Sequence, residues 1–375
     1  MKFVLYNYKK WQKNVLLFLK KWWWNQIHEE ENLKRISEFN WINLYVFDVL
    51  DEKLFGEKTY YMYPKEFVSY YMENRSHYDA FYSSIIDFCK NKKINLILFL
   101  WNVIPYWWAE KYSHFLMRLK EISKIACYFA DDDVITVAER ISKPYVKLFD
   151  YSFCAAIYYK CNKVMLKDMY SERGCKNTDY IPLWLNYGSF NEWSNLDFFN
   201  RHIDILYVWW CYGLKILRLF RLKKYFWEKM LIYGKWWMKS NSLIKTFILK
   251  ILRRYYNVWD IYPLDESEFI KVYESAKIWF NLHQDYWPTN VRMYELPANW
   301  CMQICDNPLG LSKLFALDKE VVWYSSIDEA IQKIEYYLEN DEERRKIAEA
   351  WYKKVMKSYR IELCYKKLFD IVFNV

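Results

Sequence analysis

The sequence predicts an α/β fold of two successive doubly wound domains facing a central cleft. Three observations predict it: short continuous apolar runs recur along the chain, a longer segment of helical character follows each, and one polar interruption falls near the middle. Runs of this kind suit buried parallel strands, which carry apolar side chains on both faces.

In the first half the runs are 14–19, 42–48, 94–100 and 124–130. In the second they are 203–208, 230–233, 277–282, 302–305 and 320–322. Alternation with helical segments makes βαβ units, whose strands lie parallel. Between the halves, 186–201 is polar, lacks a strand pattern and carries Gly188, Asn191, Ser194 and Asn195, so it reads as a linker. The expected division is 1–190, 191–360 and a final segment, 361–375, packing back on the first domain. Ligands of such folds bind at the carboxyl ends of the strands.

Two helices close the second half. Ser326 and Glu329 have capping-box spacing, after which Ile327, Ile331, Ile334 and Leu338 share one apolar face. Asn340 and Glu343 repeat the signature before a second helix running to Lys357. The stretch 215–254 interleaves Lys and Arg with Leu, Ile, Phe and Trp. It suits either a basic amphipathic surface helix touching anionic lipid or a core-facing helix with snorkelling cations.

Composition excludes several classes. The 375 residues can bury two or three cores, and 54% hydrophobic with 27% charged content is too apolar for a disordered chain. No run reaches the roughly 18 uncharged apolar residues of a transmembrane helix. The run 15–19 is followed by Lys20 and Lys21 with no small-residue cleavage site, unlike an export signal. Nine scattered Cys argue against a disulfide framework and for a reducing cytoplasm. Cys301 and Cys305 lack a second pair at zinc spacing and read as buried thiols. A net charge of +9 suits nucleotide phosphates, nucleic acid or an acidic membrane surface. The basic and aromatic residues form no known strand- or duplex-binding motif, so nucleic acid is not an expected partner. The outlying count is glycine: 6 Gly stand beside 21 Trp, where an average chain of this length would hold roughly 26 Gly.

In the second half the chain reads Asn281-Leu-His283, then Asn290-Val-Arg292-Met-Tyr-Glu295-Leu-Pro-Ala-Asn-Trp300-Cys. Asp306-Asn-Pro-Leu-Gly310 and Lys319-Glu-Val-Val-Trp-Tyr324 follow. This resembles the C-terminal domain of group 1 glycosyltransferases, and more narrowly their CgeB-like spore-maturation branch. Upstream, Tyr128-Phe-Ala-Asp131-Asp132-Asp133 and Tyr180-Ile-Pro182-Leu-Trp184 are similar to the end of that branch's N-terminal domain. The resemblance spans 124–359, and the first hundred residues match in strand pattern alone. It implies the GT-B fold of two Rossmann-like domains, with a nucleotide-sugar donor on the C-terminal one and a glycan, glycolipid or protein acceptor on the N-terminal one. It implies no cofactor and no essential metal.

A sugar nucleotide needs a carboxylate for its paired ribose hydroxyls and cations or amides for its diphosphate. On the resemblance, Glu295 takes the ribose and Arg292 and Lys235 the phosphates, while Asn290, His283, Trp209, Trp210 and Gly213 line the donor pocket. Plainer readings stand beside these: Glu295 as a solvated helix residue, Arg292 as its i+3 partner, His283 as a core histidine. Asp131 and Asp132, with Asp133, end a predicted strand. Adjacent carboxylates raise one another's pKa toward that of a general base, or one of them caps a helix. Trp22, Trp23, Trp24 and His28, after the first strong run, are assigned to the acceptor. Many group 1 enzymes carry a Glu eight residues before the ribose-binding one; that position is Trp287 here, which leaves the donor sugar and the stereochemical outcome open.

Family positions that are usually Gly or small carry Trp: Trp184, Trp209, Trp210, Trp279, Trp300 and Trp351. Trp22 to Trp24, and Trp236 with Trp237, follow predicted strands where a nucleotide site wants Gly-rich turns. Glycine supplies positive φ and close backbone approach, and an indole supplies neither. Composition and position together favour a gene in which UGA encodes Gly, so that the written Trp come from translating UGA as Trp. At Trp351 only the family pattern argues for Gly, since it falls four after Ile347 on an apolar helical face. The expected function is sugar transfer from a nucleotide sugar to an acceptor hydroxyl, in the cytoplasm or at the inner face of an anionic membrane. The alternative is a non-catalytic GT-B-like glycan-binding protein whose tryptophans are genuine and stack on sugar rings.

Overall fold

The computed structural model describes residues 4–6, 13–19, 29–48, 70, 72–100, 109–129, 146–159, 164–190, 198–208, 215–234, 243–256, 258, 261–262, 264, 268–282, 290–306 and 308–374. The chain divides into two compact units, one of Met1–Tyr187 with Ile361–Val375 and one of Gly188–Arg360.

The first unit holds strands β1 (Val4–Tyr6), β2 (Lys13–Leu19), β3 (Ile42–Asp48), β4 (Leu96–Leu100), β5 (Lys124–Phe129) and β6 (Tyr151–Cys154). A small antiparallel pair, β7 (Tyr158–Tyr159) and β8 (Val164–Met165), precedes β9 (Asn177–Tyr180). The main sheet has the order β1-β3-β2-β4-β5-β6-β9 and is parallel except at its β1 edge. Val15 to Leu19 of β2 are all buried, as a central strand covered on both faces requires. Leu16 and Phe18 face a cluster with Phe81 and Ile85 of helix α2 (Arg75–Asn91) and Leu116 and Leu119 of α3 (Ala109–Lys120). Helix α1 (Glu29–Asn40) meets the C-terminal helix Ile361–Phe373, where Asn40 Nδ2 donates to Glu362 O at 3.3 Å. That terminal helix is also held by Tyr187 OH on Glu362 Oε1 at 2.9 Å and by Lys124 Nζ on Val372 O at 2.6 Å.

The second unit is a six-stranded parallel sheet in the order β12-β11-β10-β13-β14-β15. Its strands are β10 (Ile203–Val208), β11 (Met230–Tyr233), β12 (Ile261–Tyr262), β13 (Ala276–Asn281), β14 (Met302–Cys305) and β15 (Val322–Trp323). Side chains alternate between two cores. Ile205, Tyr207, Ile278, Phe280 and Ile304 enter one, and Leu206, Val208 and Trp279 the other. Every apolar run read from the sequence contains or overlaps one of these fifteen strands.

The stretch 215–254 is not one amphipathic helix. It forms α5 (Lys215–Phe226), a short 3-10 turn, strand β11 and the first part of α6 (Leu243–Tyr256). Leu219, Phe220 and Leu222 of α5 are buried, so the core-facing reading holds there. Beyond α7 (Phe269–Ser275), α8 (Arg292–Ala298) and α9 (Pro308–Leu311) come α10 (Ile327–Glu339) and α11 (Asp341–Ser358), with Ile361–Phe373 as α12. Ser326 caps α10, its Oγ accepting from Glu329 N at 3.2 Å. Asn340 does not cap α11. Its amide turns back to donate to Tyr336 O at 2.8 Å, closing α10 instead of opening the next helix. The predicted linker is also more than a spacer, since Ser189, Phe198 and Arg201 within it are buried in the second unit.

Helix ends carry an unusual feature. At the end of α4 (Leu166–Glu172), Gly174 N donates to Ser171 O and Cys175 N to Tyr170 O, with Gly174 at φ 91°. This is the Schellman arrangement, whose left-handed position favours glycine. Helix α8 ends with the same two bonds, Trp300 N to Pro297 O and Cys301 N to Leu296 O, but the left-handed residue is Trp300 at φ 56°. Trp41 after α1 and Trp227 after α5 are left-handed too, at φ 57° and 45°. Among the described residues, no helix is long and apolar enough to cross a membrane.

Candidate active site

In the second unit the strand order reverses between β10 and β13, and a doubly wound sheet opens a crevice at the carboxyl ends of the strands flanking such a reversal. Asn281 ends β13 at that edge. A chain of buried amides runs from it. Asn290 Nδ2 donates to Asn281 Oδ1 at 3.1 Å, Asn281 Nδ2 donates to Gln303 Oε1 at 3.0 Å, and Gln303 Nε2 donates to Arg292 O at 2.8 Å. Tyr324 OH donates to Asn281 O at 3.2 Å. Buried polar groups of this kind are costly unless paired, so the chain fixes the start of α8 against β13 and β14. Asn290 Oδ1 and Asn299 Oδ1 have no donor among the described residues, which leaves two buried acceptors at the site.

Helix α8 then brings Arg292 and Glu295 together, one turn apart. Glu295 is partly buried, and its Oε1 accepts from Ser189 OH at 3.2 Å. Asn299 ties the same pieces by donating to both Ser189 O and Glu295 O at 2.8 Å. Burial raises the Glu295 pKa, while the nearby Arg292 charge and the Ser189 hydroxyl pull it back down. Arg292 is buried, and that burial lowers its pKa against the opposing fields of Tyr273 and Glu295. Tyr273 beside them is raised, first by burial and then by Glu295. The result is a carboxylate and a guanidinium fixed on one turn, able to accept from paired hydroxyls and to donate to an anion.

Arg201 braces this site from behind, donating to Ala276 O at 2.6 Å and Asn299 O at 2.8 Å. Sequence reasoning missed Ser189, Arg201 and Gln303. Gln303 had a readable signal, a lone amide inside an apolar strand run; Ser189 and Arg201 had none, because they sit in a stretch that reads as linker.

The structure therefore places Arg292, Glu295 and Asn290 in one constellation. His283, Lys235, Trp209, Trp210 and Gly213 of the expected donor set lie outside the described residues, as do Trp22, Trp23, Trp24 and His28 of the acceptor set and the carboxylates Asp131, Asp132 and Asp133.

A family profile described as glycosyl transferase-like matches residues 215–370, which include α8 and the whole amide chain. Comparison with curated proteins found no match. Among solved structures, sucrose-phosphate synthase from Thermosynechococcus elongatus aligns over 97% of this chain and 100% of its own, at 11% identity and a TM-score of 0.63. An alpha-glucosyltransferase in complex with UDP-glucose and DNA containing an abasic site aligns over 96% and 99%, at 14% identity and a TM-score of 0.61. Anabaena HepE in complex with UDP aligns over 97% and 100%, at 8% identity and a TM-score of 0.60. The chain has the GT-B fold of these structures, and its residues 215–370 match a glycosyl transferase-like family.

Proposed function

We propose that the chain transfers a sugar from a uridine-diphosphate-type donor to a hydroxyl of a glycan, glycolipid or protein, as a member of the CgeB-like branch. The observation that carries this reading is the pairing of Arg292 and Glu295 on one turn at the sheet's reversal point, inside the matched domain. Structural neighbours in complex with UDP and with UDP-glucose support the nucleotide class. Glu295 accepts the ribose hydroxyls, and Arg292 with Lys235 neutralises the leaving diphosphate without a metal ion. Asn290, His283, Trp209, Trp210 and Gly213 line the donor. The acceptor oxygen, on a surface including Trp22, Trp23, Trp24 and His28, attacks the anomeric carbon as the bond to the diphosphate breaks. Its proton passes to Asp131 or Asp132. Glu295→Ala removes charge-assisted hydrogen bonds and should weaken UDP binding about tenfold to a hundredfold by calorimetry. Unchanged UDP affinity in a folded variant would show that the ribose lies elsewhere.

The finer reading extends to the gene. Of the six non-glycine residues with positive φ among the described residues, three are Trp, although Trp is 21 of 375 residues. Trp279 and Trp351 are fully buried, and each indole Nε1 lacks an acceptor among the described residues. Both facts support UGA read as Gly, the first because αL positions favour glycine and the second because a buried unpaired N–H is costly. The coding DNA decides it: UGG at Trp41, Trp227 and Trp300 would sink the idea, and UGA with a glycine mass in the natural protein would establish it.

A further inference from the structure

Helix α6 presents an exposed apolar stripe. Phe247, Ile251 and Tyr255 are 64%, 52% and 67% exposed. They are spaced four apart, so they form one row of roughly 12 Å along the helix. The opposite side of the helix is accounted for, since Leu252 and Tyr256 pack on the core. The exposed side has no acidic residue anywhere in Leu243–Tyr256, and exposed Lys250 and Arg254 flank the stripe on one side. On the other side Lys224 of α5 sits over the Tyr255 ring at 5.0 Å. Two carboxylates against α5 are engaged, Asp328 with Arg221 at 2.5 Å and Glu335 with Tyr225 OH at 2.8 Å.

We infer that this face of α6 docks the protein on an anionic phospholipid surface, with Phe247, Ile251 and Tyr255 entering the headgroup boundary while Lys224, Lys250 and Arg254 meet lipid phosphates. An apolar row bordered by cations and lacking acids on its own helix matches such a surface in both shape and charge. A protein partner would need its own acidic rim, and a second copy would set these cations against one another. The inference goes beyond the sugar-transfer reading, because it concerns a surface separate from Arg292 and Glu295.

The test is co-sedimentation of the folded full chain with vesicles of phosphatidylcholine alone and of phosphatidylcholine with phosphatidylglycerol. The chain should bind the anionic vesicles, release in high salt, and leave the neutral ones in solution. Lys250→Gln with Arg254→Gln should weaken binding about 25-fold, near fivefold for each cation. Phe247→Ser with Ile251→Ser should abolish it, while UDP affinity stays unchanged in both variants. Equal binding to both vesicle types, or none, would overturn the inference. So would a concentration-dependent dimer, seen by light scattering, that the serine variant dissolves. Failure here leaves the donor-site reading standing, and loss of UDP binding in Glu295→Ala leaves this surface untouched.

Discussion

Replacing the three left-handed tryptophans by glycine and, separately, by alanine separates backbone from indole. Both replacements remove the ring contacts, including the stack of Trp300 on Tyr352 at 4.7 Å, so their difference reports conformational preference alone. In a helix interior alanine is the more stable by about 1 kcal/mol. At a left-handed position the order reverses, because Cβ there costs about 1–2 kcal/mol. With φ at 57°, 45° and 56°, glycine should exceed alanine by about 1 kcal/mol at each of Trp41, Trp227 and Trp300. Trp41 belongs to the first unit and the other two to the second, so the effects are independent across units. Trp351, inside α11 and fully buried, should show the opposite order. Lys93, exposed at φ 48° in another Schellman bond pair, provides a control without an indole: Lys93→Gly should stabilise by a similar amount. Thermal scans should register about 2–4 °C per kcal/mol in units of this size. Alanine matching or exceeding glycine at all three tryptophans would refute the claim that these are glycine positions.

Other perturbations probe the site and its frame. Gln303→Leu strands Arg292 O and the Asn281 amide, and should cost about 2–4 kcal/mol in denaturant titration while weakening UDP binding. Ser326→Ala should cost about 1 kcal/mol as a lost N-cap, whereas Asn340→Ala, which only closes α10, should cost under about 0.5 kcal/mol. Hydrogen bonds from Ser325 hold the Glu329 carboxyl at about 2, below its ordinary 4.5. A depressed folded pKa means stabilisation that is complete above about 4.5 and lost as pH falls toward 2. Ser325→Ala should flatten that acid limb in a pH series of melting temperatures; an unchanged limb would place the acid sensitivity elsewhere.

The strands were readable where physics leaves one option. Val15 to Leu19 or Ile203 to Val208 are apolar throughout, and only burial on both faces accommodates that. Strands β6 and β9 were not: Tyr151–Cys154, though wholly buried, is only four residues long and includes Ser152, and Asn177–Tyr180 is a polar strand at the sheet edge, where one side of the ladder has weaker demands. Asn340 shows a different limit. Its spacing to Glu343 is that of an N-cap, but the preceding helix ends at Glu339, and the same amide satisfies the earlier carbonyl first.

At the site, Arg292 and Glu295 were singled out by the resemblance of Asn290-Val-Arg292-Met-Tyr-Glu295 to group 1 glycosyltransferases, and helical spacing accounts for their sharing one face. What positions them was hidden. Ser189 and Arg201 reach α8 from over ninety residues upstream, a contact that only the folded unit creates. The tryptophans combine both kinds of information. Position in the sequence singled out Trp300, while Trp41 and Trp227, each about half exposed, emerged only from their backbone angles. Helix termination gives such a position a reason to favour a residue without Cβ: Gly174 closes α4 with the same bond pair with which Trp300 closes α8. Three helices of one chain stop by this bond pair, α4 with glycine, α2 with Lys93 and α8 with tryptophan, so what they share is a left-handed residue, and glycine is the residue for which that conformation costs least.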